Sequence, residues 1–242
     1  MAANAAQHAS DDVGAFAHQT VTVMGRRLQA DVSGALYWPS ENMLIVSDLH
    51  LEKGSARAHR GRFLPPYDTR ETLMRLAAVI DRYRPDTVIS LGDSFHDDGG
   101  CDRISTGDLA IIEVMQETCD WLWVTGNHDP HLSARVGGRI VDEVVVGGLA
   151  FRHEPKAVRA THEVAGHLHP AAKLAVHGAT LRRPCFVGNG QRLVMPAFGA
   201  FTGGLNVLDE AFEPLFSEGG FAVWMRGAEG LYPVSTRQLV RD

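Results

Sequence analysis

Three short apolar runs constrain this chain more than anything else in it. Met43-Leu44-Ile45-Val46-Ser47, Thr87 to Leu91 and Trp121 to Val124 do not alternate with polar residues, so they suit strands buried on both faces. A sheet covered on both sides implies crossover helices between parallel strands. Between the first two runs, Thr69 to Arg84 carries Leu73, Leu76, Ala77, Ile80 and Tyr83 at helical spacing, with Thr69 as the expected cap and Pro85 as the stop. Thr106 to Glu117 is the second expected helix. This is βαβ grammar.

Around that centre the pattern changes. Thr20 to Trp38 holds short Val-, Leu- and Tyr-rich stretches around Gly25 and Gly34, as in hairpins. After Ile140, short strands punctuated by Gly147-Gly148, Gly188-Asn189-Gly190 and Gly203-Gly204 predict antiparallel pairing. Residues 1–17 lack periodicity and read as a disordered tail. The remaining residues, 18–242, are expected to form a single domain, since 242 residues at 45% hydrophobic content suffice for one large core. No apolar run is long enough to span a bilayer, and no basic, then apolar, leader opens the chain. The expectation is a soluble, cytoplasmic protein without a membrane partner. A formal charge of −6 excludes a freestanding polybasic nucleic-acid binder. The three cysteines, Cys101, Cys119 and Cys185, form no CxxC pair, which argues against a disulfide framework or a thiolate metal site.

Polar residues follow the strands. Asp48-Leu49-His50 comes after the first run, Gly92-Asp93 after the second and Gly126-Asn127-His128-Asp129 after the third. His153 follows Leu149 to Arg152, and Gly166-His167-Leu168-His169 follows Glu163 to Ala165. Carboxyl ends of strands form the ligand crevice of α/β sheets, so groups more than a hundred residues apart can converge there. Carboxylates, imidazoles and an amide without a thiolate suit Mn²⁺, Fe²⁺ or Zn²⁺ in an open site rather than a closed structural zinc. A lone Asp-x-His or Gly-Asp is explained by a turn or cap; Gly-Asn-His and Gly-His-x-His are rarer by chance, and the ordered set of five points to metal.

Together these motifs resemble the calcineurin-like metallophosphoesterase superfamily. The segments SDLHLEKG, LGDSFHD, FRHEP and RRPCFVGNGQRLVMPAFGAFTGG are similar, more narrowly, to bacterial DNA-ligase-associated metallophosphoesterases. The resemblance implies an α/β fold with two mixed β-sheets packed as a sandwich and flanked by helices. It places one ion on Asp48, His50, Asp93 and His169 and a second on Asp93, Asn127, His153 and His167, with Asp93 bridging. Mn²⁺ is the favoured metal, with Fe²⁺ or Zn²⁺ as alternatives. His128 matches a histidine that contacts the phosphate and assists the leaving oxygen. Gly92-Asp93-Ser94-Phe95-His96 resembles double-strand-break repair nucleases and shifts weight to phosphodiesters; His96 either touches substrate or orients its neighbours. The implied reaction is in-line hydrolysis by a hydroxide that bridges two ions. Its setting would be DNA repair beside a DNA ligase, helicase or exonuclease. Small nucleotides or phosphomonoesters as substrates, and a protein-binding scaffold of the same fold, are the competing readings. A scaffold would have no reason to keep so many polar groups converging.

Other residues carry weaker signals. Lys53, Arg57, Arg60 and Arg62 could line a phosphate track but read first as a solvated face. Arg182-Arg183 and the aromatic Phe198 and Phe201 flank the glycine-rich Gly199 to Gly204 loop. Aromatics beside cations stack single-stranded bases, although a loop phenylalanine usually anchors its loop to the core.

Overall fold

The computed structural model describes residues 17–59, 61, 67–158, 162–176, 178–216 and 219–242. Nearly all of the expected tail, together with Arg60 and Arg62, lies outside the described residues. Seven strands form the first sheet in sequence order: β1 His18–Val23, β2 Arg26–Asp31, β3 Leu36–Trp38, β4 Met43–Val46, β5 Thr87–Leu91, β6 Asp120–Val124 and β7 Arg139–Val141. β1 to β4 are an antiparallel meander, and β4 to β7 run parallel. The crossovers carry α1 Lys53–His59, α2 Asp68–Tyr83, α3 Gly100–Arg103 and α4 Thr106–Gln116.

The continuous apolar runs serve two cores. Leu44, Val46 and Val88 join Leu73, Leu76, Val79 and Ile80 of α2 and Leu109, Ile112 and Met115 of α4. Met43, Ile45, Ile89 and Leu91 point the other way, into the space between the sheets. Successive side chains on a strand face opposite sides, so a strand covered on both faces has no polar positions to alternate. Each such buried side chain contributes roughly 1.5–3 kcal/mol.

The second sheet holds β8 Val144–Val146, β9 Leu149–Arg152, β10 Glu163–Ala165, β11 Ala171–Val176, β12 Ala179–Gly188, β13 Arg192–Val194, β14 Ala222–Arg226 and β15 Leu231–Val234. Its order is β15-β14-β12-β13-β10-β9-β8, with β11 on β12. The expectation of antiparallel pairing needs correction at the middle, where β10 runs parallel to both β9 and β13. Gly147-Gly148 and Gly188-Asn189-Gly190 do turn hairpins, but Gly203-Gly204 lies in an irregular segment. Leu149, Phe151, Val164, Phe186 and Leu193 meet the first sheet in the shared core. The outer face is covered by Phe212, Leu215, Phe216 and Leu239 rather than by a long helix. No helix among the described residues is long and apolar enough to cross a membrane.

Thr69 is not the cap of α2. The helix starts at Asp68 after Tyr67 without a side-chain cap, because the polar groups of its first turn are taken by the loop that follows β4. Thr69 Oγ1 accepts from Glu52 N at 2.8 Å and donates to Glu52 Oε1, and Asp68 Oδ2 accepts from Gly54 N at 3.0 Å. α4 is capped by Ser105, one residue before the expected start.

Candidate metal centre

Beyond the ends of β4 and β5 the two chains stay zipped. His50 N donates to Asp93 O and Leu51 N to Ser94 O, both at 2.9 Å, and His96 N returns to Leu51 O. A third loop joins them through Asp129, whose carboxylate accepts from Gly126 N and Phe95 N at 3.0 Å. Burial first, and then the neighbouring Asp93, push the Asp129 carboxyl up to about 7. From the second sheet, Gly166 N donates to His153 O, and Met195 N to Ala165 O. Gly166 is required here, since a Cβ would collide with Ser47 and Asp48.

The seven expected ligands and both expected catalytic histidines come together. Asp48, His50 and His169 form one group and Asp93, His153 and His167 another, each with its ligand atoms within 4.8 Å of one another. His50, His96 and His128 form a third such group, which shares His50. Asp93 spans the first two: Oδ1 lies 3.4 Å from His153 Nε2 and Oδ2 lies 3.9 Å from His50 Nε2. Asp48, His50, Asp93, His167 and His169 all have left-handed backbones, with φ of 53°, 45°, 46°, 69° and 45°. Each costs on the order of 1–3 kcal/mol, and their concentration here marks where the fold stores strain.

The donor set fits cations by the direction of its lone pairs. His153 Nδ1 donates to Leu91 O at 2.9 Å, so Nε2 is a bare acceptor in the neutral ring. It faces Asn127 Oδ1 at 2.9 Å, His167 Nδ1 at 3.1 Å and Asp93 Oδ1. In the other group His50 Nε2 faces His169 Nε2 at 3.3 Å, His169 Nε2 lies 3.0 Å from Asp48 Oδ1, and His50 Nδ1 is buried without a partner among the described residues. Acceptors converging without enough protons between them suit metal ions.

Protonation agrees. Burial, above all, lowers His50 to about 3 and His96 to about 4, and lowers His167; neutral imidazole is the form that binds metal. For His169 the hydrogen bond and charge of Asp48 outweigh burial and raise it, while the same pair, with His153 and Ser47, hold Asp48 low against its own burial. Ser47 Oγ donates to Asp48, and His167 N lies 3.1 Å from Asp48 Oδ2. In the sequence Ser47 stands out only as the end of the first strand run, and nothing local gives it a place at the site.

His128 is a member of neither principal group, although its Nε2 lies 3.9 Å from Asp93 Oδ2. Its Nδ1 donates to His96 O at 2.8 Å, its N donates to Asp93 Oδ1 at 2.8 Å, and its ring stacks at 5.6 Å on that of His96. It stays partly open to solvent, as a group meeting substrate must.

Two clefts flank the centre. One of about 690 Å³ is lined by Asn127, His153, Arg152 and Lys156, among others. Its wall rests on the fully buried Glu163, which accepts from Arg152 Nη1 at 3.0 Å and Lys156 N at 3.2 Å; Arg192 lies 3.4 Å from its other oxygen. The sequence reading missed this network, since nothing local marks Glu163 as buried. The other cleft, about 120 Å³, is lined by His169, Arg182, Arg183, Thr202, Gly203 and Gly204. Of the expected solvated face, Arg57 is exposed but Lys53 is only 9% exposed, and its Nζ donates to Phe201 O at 2.8 Å. Phe198 anchors in the core as expected; Phe201 does not.

Residues 42–187 match the calcineurin-like phosphoesterase family. The fold resembles that of Pseudomonas putida nuclease MPE, with 27% identity and a TM-score of 0.69 over 90% of this chain and 100% of that one. The protein of unknown function AQ665 from Aquifex aeolicus shares 19% identity over 52% of this chain and 78% of its own, at a TM-score of 0.38. Yfce, a phosphoesterase from E. coli, shares 13% over 82% and 96%, at 0.36. No curated protein matches the chain significantly.

Proposed function

Because the chain belongs to the calcineurin-like phosphoesterase family and is thus a metal-dependent phosphoesterase, we propose that it is a binuclear phosphodiesterase that cuts DNA. The observation that carries this reading is Asp93, whose two oxygens face the two ligand groups. One ion is assigned to Asp48, His50, Asp93 and His169, the other to Asp93, Asn127, His153 and His167, within a single domain of residues 18–242. Mn²⁺ is the preferred metal, ahead of Fe²⁺ and Zn²⁺. Similarity to a nuclease along 90% of the chain supports a phosphodiester substrate. DNA repair in the cytoplasm, beside a DNA ligase, helicase or exonuclease, is the setting we favour.

When bound, two divalent cations supply Lewis acidity to the phosphoryl oxygens and make hydroxide available near neutral pH. The chain's own part is orientation and proton transfer. Leu91 O fixes the ring of His153, and Asp129 ties the loops of Asp93 and Asn127 together. His128 Nδ1 is committed to His96 O, so the only proton it can pass to a leaving oxygen sits on Nε2 of the imidazolium. His96 acts here chiefly through its carbonyl, as an orienting residue.

The test is hydrolysis of DNA, bis-p-nitrophenyl phosphate and p-nitrophenyl phosphate, with Mn²⁺ and with chelator. Cleavage of both diesters that stops in chelator and returns with Mn²⁺ is expected. Hydrolysis of the monoester alone would overturn the diesterase reading, and full activity with metal verified as nil would overturn the metal.

A further inference from the structure

The loop from Gly199 to Gly204 is built onto the metal centre. Gly199 N donates to Asp48 O at 3.1 Å, and the Gly203 backbone takes a hydrogen bond from the His169 ring. Gly204 packs so tightly on His169 O that a Cβ would collide with it. At the head of this loop Phe201 is anomalous. Its φ is 59°, a conformation that a bulky residue rarely adopts and that costs on the order of 1–3 kcal/mol. Its ring is nevertheless 65% exposed, so burial of that ring, worth roughly 1.5–3 kcal/mol when complete, does little to offset the strain.

The backbone beneath the ring is held firmly. Lys53 Nζ, itself nearly buried, donates to Phe201 O at 2.8 Å, and Thr202 Oγ1 donates to Gly199 O at 2.9 Å. The neighbouring cleft, lined by His169 and by Thr202 to Gly204, also carries Arg182 and Arg183. Arg182 Nη2 donates to Gly204 O at 2.6 Å and its Nε lies 3.4 Å from Asp242 Oδ1. Arg183 is exposed and makes no ion pair among the described residues. A solvent-facing aromatic on a strained loop, next in sequence to Thr202 of a cleft that also holds His169 and an unneutralised Arg183 guanidinium, has the composition of a base-and-phosphate subsite.

We propose that Phe201 is the platform on which a nucleobase adjoining the scissile phosphate stacks, with Arg183 meeting the next backbone phosphate. The inference rests on the DNA reading above and adds to it the residue that distinguishes a diester bearing a nucleobase from one without. The full-length protein with Mn²⁺ would be assayed as wild type, Phe201→Ala and Phe201→Trp, on a short single-stranded oligonucleotide and on bis-p-nitrophenyl phosphate. Losing one stacked base should raise KM for the oligonucleotide roughly 5- to 150-fold. Hydrolysis of bis-p-nitrophenyl phosphate should change far less, because its rings sit closer to phosphorus than a nucleobase held out by a sugar, and tryptophan should restore the oligonucleotide KM. An oligonucleotide with one abasic residue beside the cut should show the same defect with wild type and no further loss with Phe201→Ala. Binding of an oligonucleotide bearing 2-aminopurine, read by fluorescence quenching, should be strong with wild type and weak with Phe201→Ala whether or not cleavage occurs. An equal defect on both substrates would reduce Phe201 to a structural role. Unchanged oligonucleotide KM and unchanged quenching would overturn the proposal while leaving the nuclease reading intact. Failure of wild type to bind or cut any oligonucleotide while it hydrolyses bis-p-nitrophenyl phosphate would overturn both.

Discussion

Asp48, Asp93 and Asn127, the oxygen donors of the centre, leave the parallel strands of the first sheet, whereas three of the imidazoles, His153, His167 and His169, come from the second. The first set is locked locally: adjacent loops bond to each other residue by residue, and Asp129 ties the third to the second. The second set is held at longer range, by Leu91 O on His153, by Asp48 on His167 N and His169, and by Glu163 beneath the loop that follows His153. Each of the two candidate ligand groups therefore draws on both sheets, and its geometry should report on their packing.

The sharpest test of that comparison is Asp93→Asn. If Asp93 belongs to both sites, metal analysis should show both depleted and activity should fall to the level seen in chelator. His169→Ala, which touches one group, should chiefly empty one site; equal single-site losses in the two variants would remove the bridge.

His128→Ala comes next. It should leave both metals bound and lower turnover on DNA by roughly 10²- to 10⁴-fold. The defect should be smaller on bis-p-nitrophenyl phosphate, whose leaving group needs little protonation. Metal loss would place His128 among the ligands, and equal defects on the two substrates would remove its leaving-group role.

Glu163→Gln probes the second sheet alone. It leaves the buried Arg192 beside a neutral partner while Arg152 keeps Glu143 at 2.7 Å, and since removing a buried charge partner typically costs about 3–5 kcal/mol, a loss at or below the lower end should appear as a shift in the denaturant midpoint. Metal affinity at the His153 site should weaken more than at the His50 site. Uniform weakening would mean that the two sheets do not hold their ligands independently.

The smallest effect concerns stored strain. In the metal-free protein His50→Gly should be more stable than His50→Ala by about 1 kcal/mol, the reverse of the usual order, because φ of 45° favours glycine. Thermal unfolding of the two variants measures it, and alanine proving the more stable would show that the left-handed turn relaxes once metal is gone.

Much of this was legible in the residues. β5 falls on its expected bounds, and β4, β6, α2 and α4 lie within one residue of theirs, because covered parallel strands and amphipathic helices leave strong local signals. All nine expected site residues converge, since strand-end motifs are short-range features. The parallel placement of β10, the cap of α2 and the burial of Lys53 and Glu163 were not legible. Each depends on a partner distant in the chain: Glu163 pairs with Arg192, Thr69 with Glu52 and Lys53 with Phe201.

By itself, then, the sequence determined the types of donor, their order and the strands that deliver them, because periodicity and turn chemistry act over a few residues. Only the tertiary structure decided which imidazole faces which carboxylate, which histidine nitrogen carries the proton and which loop phenylalanine stays in water. Those outcomes depend on how two separately hydrogen-bonded sheets pack across a shared apolar core, and no local pattern encodes the distance between them.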